Sequence, residues 1–163
     1  MALRRANFLN PELQSDDDDI DGFRAAYDRF GPRIGGDKLG TTLYELPPGE
    51  AVCPYHYEYP EEEWLLVLSG TPTVRHPEGE DVLDPGDIVC FPSGPEGAHQ
   101  VLNRADQPAR VLMVSTRNRP GIAVYPDSNK IATFTDSEAD NLMLRKEAAV
   151  DYFDGESARS TER

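Results

Sequence analysis

The sequence predicts an all-β domain, a sandwich or barrel of short strands. Strand-like runs follow one another through the middle of the chain, and glycine or proline separates almost every pair of them. No long segment shows the periodicity of an amphipathic helix. The length of 163 residues is enough for one domain with a substantial core. Regularly spaced short strands with these turn signals are typical of sandwiches and barrels.

The strands can be assigned in order from their apolar content and from the turns that bound them. Short helical turns are predicted around Gly22–Arg29 and Asp140–Ala148, outside the series of strands. The predicted strands are Gly40–Leu46, Glu63–Ser69, Thr71–Arg75, Asp81–Leu83, Ile88–Phe91, His99–Asn103, Ala109–Thr116, Ile122–Tyr125 and Lys130–Phe134.

Apolar residues are concentrated in the middle of the chain, whereas both ends are polar and acidic. We therefore expect an acidic N-terminal arm over residues 1–38, a β-barrel domain over residues 39–134 and an acidic C-terminal arm over residues 135–163. The run Trp64–Leu68 is apolar without alternation, which predicts a strand buried on both faces. Either the arms or a second subunit would cover the outer face, and we favour a homodimer.

The charge and the remaining composition exclude several classes of partner. A net charge of −14 argues against nucleic acid and against anionic membranes, because both bind through lysine and arginine. No apolar segment approaches the roughly 20 residues that span a bilayer, and the N-terminus has no apolar signal core. The two cysteines, Cys53 and Cys90, are too few for a disulfide framework, so we expect a cytoplasmic protein with buried, reduced thiols.

Two histidines and two glutamates form a candidate metal site. His56 and Glu58 are two positions apart, so on an extended segment their side chains leave the same face. Glu63 lies in phase with Leu65 and Val67 on the next strand, and His99 begins a later strand. Imidazole and carboxylate groups that meet inside a barrel are suitable ligands for a divalent ion. The third histidine, His76, is expected at the surface of a hairpin turn.

The two segments that carry these residues resemble the two motifs of the cupin superfamily. The first motif runs from a glycine through a His-x-His pair and a glutamate to a second glycine. The second runs from a glycine through Pro-x-Gly and a histidine to an asparagine. Residues matching the first are Gly49, His56, Glu58, Glu63 and Gly70, and those matching the second are Gly86, Pro92, Gly94, His99 and Asn103. The resemblance, which covers roughly residues 40–117, implies a double-stranded β-helix, the cupin jelly-roll barrel, like that of small single-domain bacterial cupins.

Glu58 departs from the family pattern, because it occupies the position of the second histidine. Two histidines and two glutamates would neutralise a divalent ion and would favour Mn(II) or Fe(II), with Zn(II) as a further candidate. Alternatively, one glutamate binds and leaves a two-histidine, one-carboxylate face with open positions. In a third alternative Glu58 points to solvent and the barrel holds no metal.

A small apolar pocket is expected around this site, which suits a small organic ligand. Its predicted lining consists of Tyr57, Leu65, Val67, Phe91, Asn103 and Met113, with Tyr55, Tyr57, Tyr59 and Met113 as candidates for its mouth. Asn103 could instead be a turn residue.

Two functions follow from these expectations. One is a metal-dependent enzyme acting on a small molecule, such as an oxygenase, an isomerase or a decarboxylase. The other is a binding or sensing module that holds a ligand without chemistry. A purely structural domain has little support in the sequence, and the fold does not choose between the other two.

Overall fold

A computed structural model describes residues 2–18 and 20–157, so parts of both predicted arms lie outside the described residues. Twelve strands, one short α-helix and four single 3-10 turns lie within these ranges. The strands and the α-helix are β1 Ala26–Asp28, α1 Gly31–Ile34, β2 Leu39–Leu46, β3 Tyr57–Tyr59, β4 Glu63–Ser69, β5 Thr73–His76, β6 Gly79–Val82, β7 Ile88–Phe91, β8 Gln100–Leu102, β9 Ala109–Thr116, β10 Gly121–Tyr125, β11 Lys130–Phe134 and β12 Leu142–Arg145.

The strands form three sheets. The first has five strands in the order β1-β2-β9-β4-β7, the second has four in the order β12-β11-β10-β3, and the third has three in the order β6-β5-β8. All neighbouring strands are antiparallel. Isolated bridges from Ala51 to Leu102 and from His56 to His99 connect the segment before β3 with β8. These bridges join the two smaller sheets into one layer opposite the five-stranded sheet.

The core lies between these layers. Leu65, Val111 and Leu46 of the five-stranded sheet pack with Val74 and Val101 of the three-stranded sheet. The inward positions alternate with outward ones along each strand, as the pleat requires. The predicted all-β jelly roll is therefore confirmed, and most predicted strands match the observed ones within one or two residues.

Both segments predicted as helical turns contain strands, and the second also contains a helical turn at Lys146–Ala148. Ala26–Asp28 pairs with β2, and Leu142–Arg145 pairs with β11. Each segment is too short for a helical pattern to be informative, and each lies beside a free sheet edge whose backbone groups it can pair with. The prediction of a helical turn was therefore wrong for the first segment and confirmed only in part for the second, because strand pairing depends on tertiary position.

The strand over Trp64–Leu68 is fully covered on one face only. Leu65 and Val67 point into the core and are buried, whereas Trp64 on the opposite face is 41% exposed. The described part of the N-terminal arm does not reach Trp64: its strand β1 and helix α1 pack beside and over β2, and β9 lies between β2 and β4. Within the described residues of one chain, the outer face of this strand is therefore not fully buried.

None of the helices in the described ranges is long and apolar enough to cross a membrane.

Candidate metal centre

His56 and His99 are brought together by direct backbone pairing. The amide of His56 donates to the carbonyl of His99 over 3.1 Å, and the amide of His99 donates back over 2.8 Å. The two imidazole rings lie with their centroids 4.8 Å apart. Both residues are buried, with 7% and 3% of their surface exposed. The bridge between the two smaller sheets therefore positions two nitrogen donors side by side.

Hydrogen bonds to backbone carbonyls set the orientation of both rings. Nδ1 of His99 lies 2.9 Å from the carbonyl oxygen of Gly97, and Nδ1 of His56 lies 3.1 Å from that of Pro54. Since a carbonyl only accepts, each Nδ1 is assigned the hydrogen. The Nε2 atoms then face the barrel interior with lone pairs available for a metal.

Glu63 adds a carboxylate to the two imidazoles. It begins β4, and its Oε2 atom lies 3.3 Å from Nε2 of His99 and 4.0 Å from Nε2 of His56. The three ligand atoms all lie within 4.8 Å of one another. A neutral imidazole nitrogen and a carboxylate oxygen are both acceptors, so their close approach requires a proton or a cation between them. The chemistry of this donor set fits a divalent ion.

The protonation states also favour metal binding. Burial, followed by the neighbouring charge of His99, lowers the pKa of His56 to about 4, so this ring is neutral at physiological pH. Burial raises the pKa of Glu63, but the neighbouring His99 and His56 outweigh it and hold this pKa below its usual value, so the carboxylate is ionised. A divalent metal requires a neutral imidazole and an ionised carboxylate, which are the states of His56 and Glu63.

Glu58 points into the same cavity but lies outside the group of three. Its Oε1 atom is 4.0 Å from Nε2 of His56, and 26% of its side chain is exposed. Burial, followed by the charge of Glu63, raises the pKa of Glu58 to about 7. Three of the four predicted ligands are therefore close enough to share an ion, and the fourth carboxylate stands beside them.

Aromatic packing and a glycine fix the position of His99. Phe91 stacks on its ring at a centroid distance of 3.7 Å and an interplanar angle of 6°. A methyl group on Gly97 would lie 1.8 Å from the carbonyl oxygen of Pro92, so the turn Pro95–Gly97 has no room for a side chain at that position. This close packing places the Gly97 carbonyl where it accepts from His99.

The cavity at the cluster has a volume of about 290 Å³ and contains several hydroxyl groups. Thr42, Tyr44, Ser115 and Tyr125 line it, and sequence reasoning assigned none of them to the site. Burial is the main cause that raises the pKa of Tyr44 and of Tyr125 to about 12, so both phenols stay protonated at neutral pH. The alternation of Thr42 and Tyr44 along β2 was the available signal, but it required knowledge of which face points inward.

The predicted lining is largely corrected by the structure. Met113 lines the cavity, whereas Leu65 and Phe91 belong to the packed core and Val67 is buried outside the cavity wall. Tyr57 packs edge-on against Tyr59. The cavity occupies only one end of the interior, so inward positions farther along the strands fill the core instead.

Tyr55 and Asn103, the other predicted lining and mouth residues, have structural roles. Tyr55 is buried under the guanidinium of Arg75 and does not form the mouth of the cavity. The amide of Asn103 donates to the carbonyls of Leu46 and Gln107 over 2.9 and 2.8 Å, and its oxygen accepts from the amide of Ala105. Asn103 is therefore a turn residue in the structure.

Of the two cysteines and the third histidine, only Cys53 lies at the metal cavity. Cys53 lines the cavity, and its sulfur lies 3.5 Å from Nδ1 of His56, the nitrogen turned away from the carboxylates. Cys90 is exposed, so the prediction that it is buried was wrong. It lies on the outward face of the edge strand β7, opposite Trp64. His76 pairs with Asp81 over 3.0 Å and takes no part in the cluster.

Several named proteins of solved structure share this fold. A sugar phosphate isomerase of the cupin superfamily from Silicibacter pomeroyi is 25% identical, with a TM-score of 0.77 and coverage of 92% of this chain and 98% of that one. A proposed sugar phosphate isomerase from Acidithiobacillus ferrooxidans is also 25% identical, with a TM-score of 0.73 and coverage of 80% and 81%. The polyketide cyclase RemF from Streptomyces resistomycificus, at 19% identity and a TM-score of 0.59, covers 74% of this chain and 84% of its own and shows similarity of fold.

Comparison at the level of sequence families agrees with the structural similarity. None of the curated proteins compared with the chain matches it. Residues 42–115 match the family model of the cupin domain, a range that contains all four predicted ligands. The match, the paired motifs and the solved cupin structures lead to one conclusion: residues 42–115 form a cupin domain.

Proposed function

We propose that this protein is a divalent-metal-dependent isomerase of a small, hydroxylated carbonyl compound. The observation that carries the proposal is the group His56, Glu63 and His99, whose ligand atoms converge at one end of a cavity. Two imidazoles and one carboxylate would leave open positions on an ion for a small ligand. Of the two solved structures at 25% identity, one is named as a sugar phosphate isomerase and the other as a proposed one, and both support this class of reaction.

The residues around the cluster supply further groups that an isomerase needs. A bound divalent ion would polarise a carbonyl or hydroxyl oxygen of the substrate. Glu58 places a second carboxylate in the cavity, outside the metal-binding group, where it can accept a proton from one substrate carbon and return it to the neighbouring carbon. The hydroxyl groups of Tyr44 and Tyr125 can donate to substrate oxygens. The donor set suits Mn(II), Fe(II) or Zn(II).

Elemental analysis of protein purified without chelator tests the metal centre. We expect about one ion per chain in the wild type, as in mononuclear catalytic sites. The variants His56→Ala and His99→Ala should lose the ion, and the matched control His76→Ala should keep it, since His76 pairs with Asp81 outside the cluster. A wild type that stays metal-free after incubation with Mn(II), Fe(II) and Zn(II) would contradict the proposal.

An assay of aldose–ketose interconversion with a panel of sugar phosphates tests the reaction. We expect turnover in the metal-loaded wild type and loss of turnover in the His99→Ala variant. If ligands raise the melting temperature of the metal-loaded protein but none is converted, the isomerase is refuted and the alternative of a binding or sensing module is supported.

A further inference from the structure

A second cavity adjoins the candidate metal centre. Its volume is about 220 Å³, and the segment that follows β9 forms much of its wall. Glu58 lines this cavity as well as the one that contains the metal-binding group, so the two meet at its side chain. The residues that line the second cavity include two arginines, Arg117 and Arg119. The lining of the first cavity includes neither lysine nor arginine.

Arg117 stands where the two cavities meet. Met113 and Ser115 line the metal cavity from the inward positions of β9, and Arg117 is the next residue with the same parity. Its stem packs against Gly40, another residue of the metal cavity, since a methyl group on Gly40 would lie 3.7 Å from Cγ of Arg117. The stem of Arg117 therefore lies beside a residue of the metal cavity, while its side chain lines the second cavity.

No acidic side chain in the described ranges forms an ion pair with Arg117. Glu61, which also lines the second cavity, is occupied by other partners. Its Oε1 atom accepts from the amide of Asn118 over 2.6 Å, and its Oε2 atom accepts from the hydroxyl of Thr116 over 2.7 Å. Glu61 thus holds the segment in place and leaves the guanidinium of Arg117 available to a ligand.

Arg119 is partly engaged. Its Nη1 atom donates to the carbonyl of Thr135 over 2.9 Å, and its Nε atom lies 3.9 Å from the carboxylate of Asp136. This anchoring fixes the side chain beside the second cavity. The lining of the second cavity also includes Glu58 and Glu61, so the two arginines would hold an anion through directed hydrogen bonds and not through a net positive charge of the cavity.

We propose that Arg117, assisted by Arg119, binds the phosphate group of a phosphorylated substrate whose other end reaches the metal centre past Glu58. This inference rests on the proposed function, and it assigns the substrate class from the second cavity. A guanidinium donates two parallel hydrogen bonds to phosphate, which makes arginine well suited to this role. The phosphate would also fix which end of the substrate enters the metal cavity.

Calorimetric titration of the metal-loaded protein with fructose 6-phosphate, fructose and inorganic phosphate tests the subsite. We expect fructose 6-phosphate to bind the wild type more tightly than fructose. Arg117→Ala should weaken its binding by about 10- to 100-fold, the range for a lost charged hydrogen bond, with a smaller loss in Arg117→Lys. The matched control is Arg104→Ala, which removes an exposed arginine paired with Glu80 at the opposite end of β9 and should bind as the wild type does.

Metal content and melting temperature of each variant separate this inference from the proposed function. A wild type that takes up no metal refutes the metal centre, and inorganic phosphate then tests Arg117 by itself through the same variants. Equal affinity of wild type and Arg117→Ala for both phosphate compounds would overturn the anion subsite while the metal centre stands. If Arg117→Ala is unfolded, the variants Arg117→Lys and Arg119→Ala test the anion subsite in its place. Wild-type affinity for fructose 6-phosphate in both variants would also overturn the subsite.

Discussion

Glu58 is the residue that most distinguishes this site, because it is an acid where the family pattern has a second histidine. The structure turns its carboxylate into the cavity, 4.0 Å from His56, but leaves it outside the group of three ligand atoms. A histidine at this position would give the ion another neutral donor. The carboxylate instead gives the cavity a group that can carry a proton.

We predict that Glu58→Gln keeps its metal but loses most of its activity. The amide has nearly the same shape but cannot accept a proton, so turnover should fall by about 100-fold or more, the range for general acid–base catalysis. Glu63→Gln should instead lose metal, because Glu63 supplies a carboxylate atom of the metal-binding group. Elemental analysis and turnover of both variants check this, and loss of metal in Glu58→Gln would identify Glu58 as a fourth ligand.

At the scale of elements, the short turn Pro95–Gly97 helps to set the orientation of the His99 ring, together with the strands β7 and β8 that it connects. The carbonyl of Gly97 accepts from Nδ1 of His99, and the packing against Pro92 that fixes this turn excludes any side chain. Groups that orient a metal-binding histidine are typically worth a factor of 10 to 100 in affinity.

Gly97→Ala is therefore expected to weaken metal binding by about 10- to 100-fold, because the turn must move and carry the Gly97 carbonyl away from His99. Competition with a chelating dye measures the change. Gly22→Ala is a suitable control, since a methyl group at Gly22 meets no atom within 4 Å and should affect only stability. Unchanged metal affinity in Gly97→Ala would show that the turn does not orient His99.

An ion pair links two elements of different sheets. Arg75 of β5 donates to both carboxylate oxygens of Asp127, in the turn after β10, over 2.5 and 2.9 Å. The hydrogen bonds from Arg75 hold the pKa of Asp127 below its usual value. A lowered folded-state pKa stabilises the protein above the ordinary pKa of aspartate, and this contribution disappears as the pH falls through the lowered value.

The difference in unfolding free energy between wild type and Asp127→Asn should therefore be constant from pH 7 to about pH 5 and should shrink below about pH 4. Because the pair is exposed, we expect a difference of at most about 1 kcal/mol. Denaturant unfolding at a series of pH values measures it. A difference that does not depend on pH would mean that the pair makes no electrostatic contribution to stability.

At the scale of the whole molecule, the outer face of the five-stranded sheet is apolar and partly open. Trp64 is 41% exposed and Ile88 is 56% exposed, and Cys90 lies between them on the same face. The described part of the N-terminal arm both extends this sheet and covers its outer face over β2, where Gly31 lies against Thr41, but it leaves Trp64 and Ile88 open. We propose that a second copy of the chain packs on this face and that the protein is a homodimer.

Light scattering after size-exclusion chromatography should then give the wild type a mass twice that of the 18.1-kDa chain. Trp64→Glu should shift the protein to the monomer, because an unpaired charge in an apolar interface is costly. Val82→Glu, on the exposed strand β6, should remain a dimer. A monomeric wild type at micromolar concentration would refute the dimer.

The sequence alone determined the strand series, because alternation and turn residues are local properties, and it determined the family through two spaced motifs. It also identified His56, Glu63 and His99, since ligand residue types stand out in any register. The tertiary structure decided which carboxylate joins the two histidines, because that depends on distances between strands far apart in the chain. It also decided the roles of Tyr44, Tyr125 and Arg117, whose side chains become part of the site only when the register selects the inward face and the sheets close around one cavity.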